Sequence, residues 1–206
     1  MSVVVLISGR GSNMQAMLEA GIPVAAVISN VAGAGGLAIA ARRGIPTKVL
    51  SHKDFGSREA FDGALAREID GFSPKLVALA GFMRVVTPGF VEGYARRLVN
   101  IHPSLLPAFP GLGTHERALA AGVKLHGCTV HFVTADLDHG PIIVQAAVPV
   151  RADDTAEALA ARVLAQEHVV YPRALRWFLE GRLVIENGLV RVKGNDAQQL
   201  VIADRG

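Results

Sequence analysis

The chain is expected to fold as one α/β domain: a Rossmann-like, mostly parallel sheet with helices on both faces and an antiparallel C-terminal part. Three observations predict this. Four short apolar runs, at 3–7, 24–28, 76–80 and 98–102, and a further short strand at 47–50 alternate with segments of helical spacing. Continuous apolar runs of this length belong to parallel strands buried on both faces. The connections are short and rich in Gly and Pro, as βα units require. Past Gly113 the pattern changes to two extended runs, 129–134 and 142–150, joined by an Asp-rich turn. Strands so close in sequence pair antiparallel.

The elements follow in order. After the first run, Ser8-Gly9-Arg10-Gly11-Ser12-Asn13 breaks the strand and a helix is expected over 14–20. Residues 35–43 read as a helix stopped by Gly44, and 57–69 as another, opened by Ser57 and Glu59. Residues 114–121 look helical, and 154–180 form a long amphipathic helix capped by Asp153 or Asp154, with Pro172 as a point where it can kink. Asn187-Gly188 between two apolar runs signals a two-residue hairpin. The domain is expected over 1–192, with a polar tail over 193–206 that frays.

The 206 residues are 50% hydrophobic, enough for one sizeable core. Net charge is +3, spread along the chain, and aromatics are 5%, which argues against a nucleic-acid surface. No apolar stretch suits a membrane span, and the start lacks the basic region of a signal peptide, so a cytoplasmic protein is expected. The single Cys128 excludes an internal disulfide, and no Cys/His cluster has zinc spacing.

Three segments carry chemistry. The loop Ser8 to Asn13 lets backbone approach a ligand closely, ahead of a helix N-terminus, and suits one phosphate. It is neither a Walker loop, lacking Gly-Lys-Ser/Thr, nor a dinucleotide fingerprint, since the third glycine is replaced by Met14. The segment Gly81-Phe82-Met83-Arg84-Val85-Val86 follows the fourth strand, where open α/β sheets place ligands, and could wall a slot for a flat heterocycle. The fifth strand ends Asn100-Ile101-His102 before a proline-bounded loop, so Asn100 and His102 share a face. The turn Asp136-Leu137-Asp138-His139-Gly140-Pro141 offers two carboxylates to that imidazole, and spacing alone does not choose between them. Amide, imidazole and carboxylate together suit acyl transfer.

These segments, with Asp54 to Ala60, His126 to Val133 and Gln166-Glu167-His168, come in one order along nearly the whole chain. In this the sequence resembles the phosphoribosylglycinamide formyltransferases, a folate-dependent formyltransferase family. The resemblance implies formyl transfer from 10-formyltetrahydrofolate, as co-substrate, to the amine of glycinamide ribonucleotide in purine synthesis, with no metal, nucleic acid or membrane involved; it allows a homodimer. It implies catalytic positions at Asn100, His102 and Asp138, and nucleotide contacts at Gly11, Ser12, Asn13 and Glu167. The folate ring would lie along Met83, Arg84, Val85 and Val86 with Asn100, Arg58 would approach its acidic tail, and the turn 135–140 would close over it.

The chemistry is coherent. Asn100 and protonated His102 would stabilise the oxyanion, one such donor being worth about 3–4 kcal/mol of barrier. A carboxylate beside an imidazole favours its protonated form and fixes its orientation. The chain departs from the family at Arg10, often Asn; at Gly113, often His; and at His139, commonly Gly. Related folate hydrolases carry an added N-terminal domain and transfer-RNA formyltransferases an added C-terminal one; neither is expected beside these segments.

Overall fold

The computed structural model describes residues 2–202. The chain divides into two compact units: one of the residues up to Asn100 with Val133–Ala135, the other of Ile101–Phe132 and the residues from Asp136 on.

In the first unit β1 (Val3–Ile7), β2 (Val24–Ser29), β3 (Thr47–Val49), β4 (Leu76–Leu79) and the opening residues of β5 (Leu98–His102) run parallel, in the order β5-β4-β1-β2-β3. All five residues of β1 are fully buried, which explains why its sequence is continuously apolar rather than alternating. Between the strands lie α1 (Ser12–Glu19), α2 (Gly35–Arg42), α3 (Arg58–Asp70) and α4 (Pro88–Gly93). The side chain of Ser57 caps α3 by accepting from the Ala60 N–H, as its place in the sequence suggested. Phe61, Leu65 and Ile69, one stripe of α3, pack with Val4, Leu6, Ile28, Val77 and Leu79 from the strands and with Phe90 and Tyr94.

In the second unit β6 (Leu125–Phe132) and β7 (Ile142–Pro149) pair antiparallel, as expected, though β6 begins earlier than the sequence indicated. Here lie α5 (Thr114–Ala120) and α6 (Ala156–Leu179), the latter packed on β6 and β7. Capping of α6 differs from the expectation. Thr155 accepts from the Ala158 N–H, and Asp154 is taken instead by Arg162, whose guanidinium meets both carboxylate oxygens at 2.7 Å. This bidentate pair holds the Asp154 pKa down at about 2. The hairpin of β8 (Leu183–Glu186) and β9 (Leu189–Val192) turns through Asn187 and Gly188, both at positive φ, as a type I′ turn requires. The segment expected as a tail contains a strand: β10 (Gln199–Val201) lies parallel to β7, and the Arg182 guanidinium holds the Lys193 carbonyl and the Asp196 carboxylate ahead of it. Residues 203–206 of that segment lie outside the described residues. Among the described residues no helix is long and apolar enough to cross a membrane.

Candidate active site

The glycine-rich loop belongs to the first unit. The helix after it starts at Ser12 rather than at Met14, so Ser12 and Asn13 form its first turn and Gly11 is the N-cap. Gly11 has φ 77°, and a Cβ there would lie 2.6 Å from the Gly36 Cα. Only glycine meets both conditions. No side-chain hydrogen bond caps α1, and the backbone end of a helix is a place where negative charge is favoured. Asn13 is buried in that first turn, whereas Arg10 is exposed.

The segment after β4 also belongs to the first unit and is pinned along its length. Ser8 N–H donates to the Gly81 carbonyl (3.1 Å), and Met83 N–H donates to Ser8 Oγ (2.8 Å). Arg58 donates to the Val85 carbonyl (2.8 Å), and Thr87 N–H donates to the Asp62 carboxylate (2.6 Å). Arg84 lies over the Phe61 ring, 5.2 Å from its centroid. Between these anchors the side chains of Met83 and Val85 are 66% and 55% exposed. Apolar side chains standing open on a fixed backbone are the kind of surface against which a flat ligand can pack.

The imidazole and carboxylate lie in the second unit. His102, at the end of β5 and 6% exposed, sets Nδ1 3.4 Å from Asp138 Oδ2. Its Nε2 lies 3.0 Å from the Phe109 carbonyl. Both ring nitrogens therefore face oxygen atoms of the protein. The Asp138 carboxylate also accepts from the Gly111 N–H (2.9 Å), and its backbone is left-handed, with φ 53°. Asp136, the other carboxylate of the turn, is exposed. His139 is exposed as well. Gly113, at φ 65°, is the left-handed N-cap of α5, a backbone state that a histidine would strain.

The loop after His102 is rigidly tied. The Leu106–Pro107 bond is cis. Leu106 N–H donates to Thr129 Oγ1 (3.0 Å), the Thr129 hydroxyl donates to the Ser104 carbonyl (2.7 Å), and the Gln145 amide donates to the Leu106 carbonyl (2.9 Å). Thr129 and Gln145 are direct partners across β6 and β7, so the antiparallel pair builds the bracket that holds the loop. A surface cavity of about 450 Å³ lined in part by Gly122, Lys124, Val150 and Asp154 shares none of these residues.

A family model described as formyl transferase matches residues 1–175. The chain belongs to the formyl transferase family. It is 50% identical to the phosphoribosylglycinamide formyltransferase of Escherichia coli over 94% of either chain. Its fold matches the solved glycinamide ribonucleotide transformylase 1 of Symbiobacterium toebii with a TM-score of 0.91, at 50% identity and 93% coverage of both chains. A formyltetrahydrofolate deformylase from Pseudomonas syringae is also similar, with a TM-score of 0.86 at 30% identity; the match covers 93% of this chain and 65% of that one. The fold is thus that of a folate-dependent formyltransferase, an α/β fold on a mostly parallel sheet.

Within this formyl transferase some neighbours of the expected residues escaped the sequence reading. His131, given there no role, sets Nε2 3.9 Å from Asp138 Oδ1 while its Nδ1 meets the Phe132 carbonyl at 2.9 Å. Burial pushes its pKa down, against the raising effect of the Asp138 carboxylate. The only available signal was its period-2 spacing from Thr129 along β6. Glu167, on α6, is buried and acts on two neighbours: burial first, and its charge second, raise the pKa values of Cys128 and Tyr171. A thiol held protonated in this way is no nucleophile.

Proposed function

We propose that this chain transfers the formyl group of 10-formyltetrahydrofolate to the amine of glycinamide ribonucleotide, a step of purine synthesis. The observation that carries the proposal is the buried His102–Asp138 pair at the end of β5, two residues after Asn100, in a member of the formyl transferase family. The likeness to relatives named for this transfer supports the choice of substrates.

In this reading the nucleotide phosphate lies on Gly11, Ser12 and Asn13, and Glu167 contacts the ribose end. The folate ring lies along Met83, Arg84, Val85 and Val86, Arg58 approaches its acidic tail, and the turn 135–140 covers it. The amine attacks the formyl carbon, a carbon–nitrogen bond forms, and the carbonyl electrons move to an oxyanion. Asn100 and His102 Nε2 donate to that oxyanion, which takes the position of the Phe109 carbonyl on the ring. Collapse breaks the bond to the folate nitrogen, which gains a proton as the amine loses one, with His102 or ordered water as carrier. Asp138 keeps Nδ1 engaged, so that Nε2 is the nitrogen turned to the reaction. No enzyme nucleophile is required.

The test follows folate deformylation with and without glycinamide ribonucleotide. Turnover that depends on the nucleotide agrees with the proposal; turnover with water alone would point to a hydrolase.

A further inference from the structure

Ser8, Asn30 and His52 stand one or three residues beyond the ends of β1, β2 and β3, and Met83 lies four beyond β4. These strands are neighbours in the order β4-β1-β2-β3 and all parallel, so the four residues share the carboxyl edge of the sheet. A chain of hydrogen bonds links them. Met83 N–H donates to Ser8 Oγ at 2.8 Å, and the Ser8 hydroxyl donates to Asn30 Oδ1 at 2.5 Å. Asn30 Nδ2 lies 3.3 Å from His52 Nδ1, which accepts from it in the tautomer protonated at Nε2. Asn30 is 6% exposed, and the His52 ring stands edge-on to Phe61, 6.3 Å between centroids.

This arrangement uses up the one proton of the Ser8 hydroxyl. Although Ser8 opens the glycine-rich loop, its side chain faces the segment after β4 instead of offering a donor to an anion on that loop. With its backbone N–H on the Gly81 carbonyl it holds the segment on either side of Phe82, while Arg58 and Asp62 hold it at Val85 and Thr87. Met83 and Val85 stand exposed between the two clamps.

We propose that Ser8 is a positioning residue for the folate co-substrate, fixing the Met83 amide through a relay anchored on Asn30 and His52. The inference rests on the assignment of Met83 to Val86 to the folate ring. It divides one motif between two ligands: Ser12 serves the nucleotide, and Ser8 serves the folate. Loss of one neutral hydrogen bond changes an equilibrium by about three- to tenfold. Ser8→Ala should therefore raise KM for 10-formyltetrahydrofolate by about that factor and leave KM for glycinamide ribonucleotide within about twofold. Ser8→Thr, which keeps the hydroxyl, should restore most of the folate affinity. Amide exchange at Met83, measured on the free protein, should speed up in Ser8→Ala and return in Ser8→Thr.

An equal or larger rise in the nucleotide KM would overturn the inference, as would an unchanged folate KM in a Ser8→Ala protein whose Met83 amide has lost protection. Should Ser8→Ala not fold, Ser8→Cys, a weaker acceptor, gives the same comparison with a smaller rise. A wild-type protein that transfers no formyl group defeats the functional reading and this inference together. A wild type that transfers, beside a Ser8→Ala protein identical to it, defeats this inference alone.

Discussion

Replacing Asp138 with asparagine removes a negative charge and leaves shape and backbone almost untouched. The residue sits at φ 53°, a left-handed state that asparagine tolerates well, and the Asn Oδ1 can still accept from the Gly111 N–H. What changes is the field at His102. With Asp138 Oδ2 3.4 Å from Nδ1, the attraction between carboxylate and imidazolium is about 5 kcal/mol at an effective dielectric of about 20. The asparagine carbonyl dipole and solvent screening return part of this, leaving about 3–4 kcal/mol. If His102 stabilises the oxyanion in its protonated form, kcat falls by about two to three orders of magnitude. The assay is steady-state formyl transfer at saturating nucleotide, with nucleotide affinity measured separately by calorimetry and expected to hold within about twofold. Wild-type kcat in Asp138→Asn would refute the electrostatic argument. A loss confined to nucleotide affinity would refute the placement of this carboxylate in the chemistry.

Three further outcomes follow from the geometry. Ser12→Asp sets a negative charge in the first turn of α1, and calorimetry should show nucleotide affinity falling by more than tenfold with folate affinity unchanged. Gly11→Ala meets both a positive φ and the Gly36 backbone, and should lose about 2–4 kcal/mol in urea unfolding, whereas Gly21→Ala, at φ 75° in open space, should lose only about 1–2. His126, with Nε2 3.2 Å from His115 Nδ1, has its pKa pushed down from 6.5 to about 4, by burial first and His115 second. The unfolded chain therefore binds more protons between these values, so stability is lost as pH falls from 6.5 towards 4. At pH 5 the penalty is about 2 kcal/mol, and the drop in urea-unfolding stability between pH 7 and pH 5 should shrink by about that amount in His126→Gln.

The parallel strands were most legible where the run is buried and apolar at every position, as in Val3–Ile7 and Leu76–Leu79. Their order, and the arrival of Met83 beside Ser8, depend on pairings between distant segments that no local pattern encodes. Helix α4 was missed because its six residues contain two glycines and a proline. Strand β10 was missed because three residues at a sheet edge take their conformation from β7 rather than from their own sequence. At the start of α6 three capping residues stand in a row, and the choice of Thr155 follows from Arg162 claiming Asp154 eight residues away. Asn100 and His102 were readable from alternation along one strand. The choice of Asp138 over Asp136 rested on resemblance; in the fold Asp138 Oδ2 lies 3.4 Å from His102 Nδ1, and Asp136 is exposed. The approach of His131 to the same carboxylate could not be foreseen, since strand and turn meet only in the fold.

In the proposed mechanism the formyl group passes directly from folate to amine, without a covalent enzyme intermediate. This is tested by mixing the protein with 10-formyltetrahydrofolate labelled in the formyl carbon, first alone and then with glycinamide ribonucleotide, and following the label by mass spectrometry. Without nucleotide, the protein mass should stay unchanged and no folate should be released; with nucleotide, the label should appear in the new amide as folate is released in equal amount. A protein that gains the formyl group, or folate released before nucleotide is added, would contradict this mechanism.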